Sequence, residues 1–212
     1  RTLTVEDVSW IRQEISSYDM VLLQLEVPIE VNRAVARWAK EAGVPVMLNP
    51  APATDLDEEL LSLVTYLIPN EQEASVETAL PLRSEKGVLV EEDLHAIARA
   101  LWEKGVENVI ITLGGQGPAV VSENSIDYIP CVRMPHVADP TAAGDSFVGA
   151  LAVGLTVGLS RQAALTFASH TAAITVSRMG AMPSLPTLAE VKALLTERGC
   201  DVFPLSCLDI LQ

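Results

Sequence analysis

The sequence predicts an α/β fold: a doubly wound, largely parallel sheet with helices on both faces. Short continuous aliphatic runs alternate with amphipathic stretches at helical spacing, the order that builds right-handed βαβ units. Hydrophobic residues make up 49% of the chain and aromatic ones only 4%, so the core must be aliphatic and alanine-rich, unlike that of most β-sandwiches. The 212 residues suffice for one sizeable domain, and no repeat or low-complexity segment divides them.

Asp19–Pro28 (DMVLLQLEVP) is a continuous apolar run, expected as a strand covered on both faces. Ile29, Val31, Val35, Trp38 and Ala39 then recur at helical spacing, and Gly43 closes that helix. Val44–Pro50 reads as a second strand, Asp55–Val64 as a short helix with an acidic first turn, and Thr65–Asn70 as a third strand. Pro81–Val90 is expected as a surface connection. Glu91–Gly105 is an amphipathic helix with Leu94, Ile97, Ala98 and Leu101 on one face. Glu107–Ser122 runs a buried strand through a glycine-rich turn into another strand, and Ser125–Val132 reads as one more. Alanine-rich helices are expected over Ala143–Val157 and Arg161–Ser177, and a last helix over Leu188–Arg198.

The formal charge of −14 repels polyphosphate backbones, which argues against nucleic-acid binding while leaving room for a nucleotide held by backbone amides and metal ions. Cys131, Cys200 and Cys207 are odd in number and lack metal-ligand spacing, as do His95, His136 and His170. Reduced structural thiols are expected. No run of about eighteen apolar residues appears, so a soluble, cytoplasmic protein with no membrane partner is expected.

The stretch ADPTAAGDSFVGALAVGL (Ala138–Leu155) places small residues before an aspartate at the head of an apolar helix. Glycine and alanine there let first-turn N–H groups converge on an anion, with Asp145 at the edge of the cradle. Asp145 would then serve proton transfer or metal charge; alternatively it complements the helix dipole. Asn70 and Glu73 lie three apart where a strand meets a helix, and could reach a metal-bound water, or Glu73 could be a first-turn acid. Thr112, Gly114, Gly115, Gln116 and Gly117 form a turn open to a nucleotide, or a plain tight turn. Asp139 has an ordinary reading as a turn or cap residue. A carboxylate at Glu26, ending a buried strand, would be awkward without a function.

DPTAAGDSFVGAL resembles the C-terminal signature of the phosphofructokinase-B sugar kinases, in the alanine form associated with their ribokinase branch. IPNEQEA is similar to that family's N-x-x-E motif and IITLGGQG to its T-x-G-x-x-G strand-turn, in the same order along the chain. QLEVP, LNPAPA and ITVSRMGAMPS also resemble family segments, so the likeness runs from about Asp19 to about Leu195.

The resemblance implies ATP-dependent phosphorylation of ribose, or a closely related sugar, at its terminal hydroxyl; another sugar or nucleoside kinase of the family is the alternative. It implies Asp145 as base and sugar contact, and the amides of Ala142, Ala143 and Gly144 as anion hole. It places Asn70, Thr112, Gly114 to Gly117, Gly144 and Ser169 at the nucleotide, with His170 beside Ser169 expected to pack. Glu26 would contact the sugar, and Glu73 would hold Mg²⁺ through water. Asp139, Thr141, Thr175, Arg178, Gly180 and Ser184 would surround K⁺. The family's upstream G-G-x-x-x-N segment and small β-sheet lid are not in these residues. A fragment or truncated homologue is therefore expected, one that alone binds ATP weakly and phosphorylates negligibly, or a non-catalytic nucleotide-binding remnant. The edge left by that segment would need covering, and a homodimer is one assembly that would cover it.

Overall fold

The backbone hydrogen bonds of a covered parallel sheet need aliphatic runs on both faces, and the computed structural model, which describes residues 2–85, 87–200 and 203–211, shows where the chain supplies them. Helical turns at Glu6–Val8, α1 (Ile11–Glu14) and Ile15–Ser17 lead into strand β1 (Val21–Gln24). Then follow α2 (Ile29–Ala42), β2 (Val46–Asn49), α3 (Glu58–Leu61), β3 (Tyr66–Leu67) and α4 (Glu71–Thr78). The hairpin β4 (Ser84–Glu85) and β5 (Val88–Leu89) precedes α5 (Glu91–Glu103) and β6 (Asn108–Thr112). A turn at Gly114–Gln116 enters β7 (Pro118–Val121) and β8 (Ile126–Tyr128). Helices α6 (Ala143–Thr156), α7 (Arg161–Val176) and α8 (Leu188–Glu197) follow, with short turns at Met182–Ser184 and Leu205–Leu211.

The chain divides into two compact units, Arg1–Leu113 with Ala119–Tyr128, and Gly114–Pro118 with Ile129–Gln212. The six-stranded sheet has the order β1-β2-β3-β6-β7-β8. The pairs β1/β2, β2/β3 and β3/β6 are parallel, as the βαβ pattern requires, whereas β8 returns antiparallel along β7. Sequential right-handed crossovers put successive helices on the same face. That face packs Val46, Leu48, Leu67, Val109 and Ile111 against Ala36, Leu61, Ala74, Ile97 and Leu101 of α2 to α5. Met47, Ile68, Ile110 and Val120 point to the other face and are buried too. Each such side chain contributes about 1.5–3 kcal/mol of burial. At the β1 edge this covering stops, and Leu22 is 45% exposed.

Two expectations are corrected. Pro81–Val90 is more than a connection, because Ser84↔Leu89 and Glu85↔Val88 pair antiparallel beside Gly87, whose φ of +83° suits a tight turn. Ser125–Val132 is strand only over Ile126–Tyr128; past it Ile129 is followed by Pro130, which brings no N–H to a ladder.

In the second unit α6 and α7 pack through small residues. A Cβ on Gly154 would lie 2.9 Å from the Ala164 Cβ, so the helices approach closely there. Ser160 caps α7 by accepting the Ala163 N–H (3.2 Å), and Thr187 with Glu190 forms a capping box at the start of α8.

Candidate active site

In the first unit the candidate residues stand at carboxyl ends of parallel strands, where ligands of such sheets bind. Asn70 forms a parallel bridge with Thr112, and the Thr112 N–H donates to the Pro69 carbonyl at 2.9 Å. Asn70 also caps α4. Its Oδ1 accepts the Glu73 N–H at 2.9 Å, and the Glu73 carboxylate accepts the Asn70 N–H and Nδ2, each at 2.8 Å. The first-turn reading of Glu73 is thus realised as a full capping box.

Glu73 is only 7% exposed, and burial raises its pKa above the ordinary 4.5, partly offset by the Asn70 N–H. Among the described residues no ion pair engages it, so its charge is met by neutral donors alone. A buried, uncompensated carboxylate of this kind fits a hard cation held through water. Glu26, two residues past β1, is exposed. The burial argument for it therefore fails, because the chain leaves the sheet at Leu25, whose N–H turns to the Ala51 carbonyl (2.9 Å). It lines a largely apolar cavity of about 440 Å³ with Leu22, Gln24 and Asn32.

In the second unit, Gly114 and Gly117 have φ of +48° and +86°. A Cβ on Gly117 would fall 2.2 Å from the Ile129 carbonyl oxygen, so packing alone demands glycine there. Around Gly114, Gly115 and Gly144 a Cβ would meet nothing within 4 Å, which leaves their backbone approachable. Ala142, left-handed at φ +60° and ψ +10°, starts α6 without a side-chain cap. The Ala143 N–H donates to the Pro140 carbonyl at 3.2 Å, a bond that competes with an anion for that amide. Asp145 is exposed on the first turn and lines a cavity of about 590 Å³ with Ala142, Gly149, Phe167, Thr171 and Leu185.

Asp139 ties the segment before α6 to the loop after α7. Its carboxylate accepts the N–H groups of Thr141 (2.9 Å) and Gly180 (3.0 Å), while its own N–H donates to the Val176 carbonyl (3.2 Å). The Thr141 hydroxyl and amide, then the Gly180 amide, hold its pKa below the ordinary carboxylate range. The turn reading of Asp139 is thereby realised, and Asp139, Thr141 and Gly180 come together. Thr175 is fully buried and its carbonyl accepts the Arg178 N–H at 3.1 Å; the Arg178 guanidinium pairs with Glu190. Ser184 is buried and donates to the Ala181 carbonyl.

Ser169 is 8% exposed in α7, and its Oγ has no hydrogen-bond partner among the described residues. Next to it His170 packs, as expected: its Nδ1–H donates to the Thr166 carbonyl (2.8 Å) and burial lowers its pKa, so the ring is neutral near pH 7. Cys131, Cys200 and Cys207 are free thiols. Among the described residues no helix is long and apolar enough to cross a membrane.

Three side-chain amides escaped the sequence reading. Asn32, 1% exposed in α2, donates to the Gln24 carbonyl (2.8 Å); Gln24 Nε2 donates to Asn49 Oδ1 (3.4 Å); Asn49 Nδ2 donates to the Ile68 carbonyl (2.9 Å). The available signal was a polar residue at a position the apolar pattern assigns to the interior.

Comparison with known proteins places these features in a lineage. The profile of the pfkB family carbohydrate kinases matches residues 3–188. The bifunctional ribokinase/ribose-5-phosphate isomerase A of Fructilactobacillus sanfranciscensis is 39% identical over 186 residues, 87% of this chain and 33% of that protein. The ribokinase of Schizosaccharomyces pombe is 38% identical over 185 residues, 87% of this chain and 57% of that protein. The structure of Arabidopsis thaliana ribokinase complexed with ribose and ATP superposes with a TM-score of 0.80 at 33% identity, covering 92% of this chain and 60% of that one. The chain thus spans less than two thirds of the length of these relatives.

Proposed function

Because the chain belongs to the pfkB family of carbohydrate kinases, we propose that the protein carrying it uses ATP to phosphorylate ribose, or a closely related sugar, at its terminal hydroxyl. The observation that carries this reading is the start of α6, where Gly144 is open to solvent and Asp145 is exposed directly after it. Small residues there let a transferring phosphoryl group approach first-turn N–H groups that have no carbonyl four residues back. The amides of Ala142 and Gly144, and that of Ala143 on leaving Pro140, stabilise charge on the equatorial oxygens. Asp145 accepts the proton of the sugar hydroxyl as its oxygen bonds to the γ-phosphorus and the bond to ADP breaks.

Asn70, Thr112, Gly114, Gly115, Gln116, Gly117 and Ser169 are assigned to the nucleotide; the unpartnered Ser169 Oγ supports its place there. Glu73 is assigned to Mg²⁺ through water, a cation that would supply charge neutralisation of the phosphates. Glu26 is assigned to the sugar. A K⁺ site is assigned to Asp139, Thr141, Thr175, Arg178, Gly180 and Ser184, whose oxygens are hard donors and whose loops Asp139 already braces.

The test uses the protein expressed from its complete gene, with ATP, Mg²⁺ and a panel of sugars and nucleosides. Ribose or a close analogue should be phosphorylated, faster with K⁺ than with Li⁺. Asp145→Asn should keep nucleotide binding and lose about 10²–10⁴ in turnover. Absence of phosphorylation across the panel defeats the reading, and unchanged turnover in Asp145→Asn removes Asp145 as base.

A further inference from the structure

Strand β2 ends at Asn49 and Pro50 follows. The Ile68 N–H donates to the Leu48 carbonyl at 2.9 Å, and in a parallel ladder the next bond would return from residue 50 to the Ile68 carbonyl. Pro50 has no N–H to give. The Asn49 side chain supplies the missing donor, with Nδ2 2.9 Å from that carbonyl. Its Oδ1 accepts from Gln24 Nε2 at 3.4 Å, and the Gln24 carbonyl is held in turn by the buried Asn32.

One amide therefore joins the carboxyl ends of β1, β2 and β3. Backbone pairing joins β1 to β2 over four residues, from Val21↔Val46 to Gln24↔Asn49, but β2 to β3 only over Met47↔Tyr66 and Leu48↔Leu67, so the amide adds most at the β2–β3 end. Glu26 lies two residues past Gln24, and Asn70 two residues past Ile68 at the head of the capping box with Glu73. Resting on the reading that Glu26 meets the sugar and Asn70 with Glu73 the metal and phosphates, we infer that Asn49 is a positioning residue. Its amide sets the spacing between the Glu26 segment and the start of α4. Displacement of a reacting group by about 1 Å can cost ~10²-fold in rate, so a lost rung should register in kcat.

The experiment compares Asn49→Leu, close in shape but unable to make either bond, with the milder Asn49→Ser and with Leu101→Ala, a core cavity in α5. Sugar phosphorylation is measured well below each variant's Tm, and amide hydrogen exchange is read at Leu25–Val27 and Asn70–Glu73. Asn49→Leu should lower kcat at least tenfold and speed exchange at both strand ends together. Asn49→Ser should fall between it and wild type, and serves if Asn49→Leu does not fold. Leu101→Ala should lose Tm while keeping kcat within about twofold. The inference is overturned if Asn49→Leu and Asn49→Ser keep wild-type kcat, if Leu101→Ala loses kcat equally, or if exchange rises at one strand end only. Should the wild type phosphorylate nothing, the kinase reading fails by itself, and the exchange data still decide whether Asn49 couples the two ends.

Discussion

Helix α4 begins on Asn70, whose side chain takes the Glu73 N–H while the Glu73 carboxylate takes the Asn70 N–H and amide in return. Helix α6 begins on Ala142, which has no side-chain acceptor and stands in a left-handed conformation that costs a residue with a Cβ roughly 1–2 kcal/mol. One helix start is closed by its own side chains; the other is left uncapped and exposed, with an aspartate beside it. Capping contributes stability locally, so an uncapped, strained start marks a place where another demand has won. The closed start carries a second cost, the buried Glu73 charge, which a cation would relieve.

The largest expected effect comes from closing the open start. Ala142→Asp adds a carboxylate where the phosphoryl group is proposed to sit. Two like charges about 4 Å apart near a surface oppose each other by about 4 kcal/mol, so sugar phosphorylation should fall by about 10² or more with Tm little changed. Wild-type rates in that variant would show that no anion binds there. Opening the closed start is next. Asn70→Ala removes the cap and the Nδ2 donor to Glu73 while keeping the backbone N–H, and should lower unfolding free energy by about 1–2 kcal/mol in a denaturant melt. A change within a few tenths would make the capping box incidental.

A smaller, pH-dependent effect follows from Glu73. Its folded pKa lies above its unfolded one, so its stabilising share is complete below the unfolded value and is lost as pH rises through the folded value. Stability of wild type relative to Glu73→Gln should therefore decline as pH climbs above 4.5, and added Mg²⁺ with ATP should oppose the decline. A flat difference between pH 4 and 7 would show that burial does not perturb this carboxyl.

The smallest effect isolates backbone strain from chemistry. Ala79, closing α4 at φ +54°, and Ala142, opening α6 at φ +60°, share the left-handed region. Glycine at either position should stabilise by about 0.5–1 kcal/mol, the left-handed penalty less the entropy glycine loses on folding. Thermal melts would read this, and Ala79→Gly should leave turnover unchanged.

Much of this molecule was legible in its residue order. Strands at Val21–Gln24, Val46–Asn49 and Asn108–Thr112, and helices α2, α5, α6, α7 and α8, stand within the expected segments, because apolar periodicity and caps are local properties of the chain. The collinear likeness of NEQE, TLGGQG and AAGD to one family located the lineage that the profile match bears out. The weaker inferences were those that needed a neighbour. Glu26 looked buried because an apolar run leads into it, yet β1 is a partly covered edge strand and the chain turns away one residue before Glu26. Gly87 alone is too short a turn signal, between too few strand residues, to announce the β4–β5 hairpin.

What sequence alone determined, then, is the element order, the aliphatic two-faced sheet and the small-residue head of α6, each specified by residues adjacent or one helical turn apart. Only the tertiary structure decided that Gly117 must be glycine, since the Ile129 carbonyl fills the space a Cβ would need. It also decided that Ala142 is strained, and that Asn49 replaces a proline's missing N–H for a carbonyl on the next strand. In each of these cases the deciding atom belongs to a segment brought close by folding or to a backbone angle imposed by it, and no local pattern of side chains encodes such a distance.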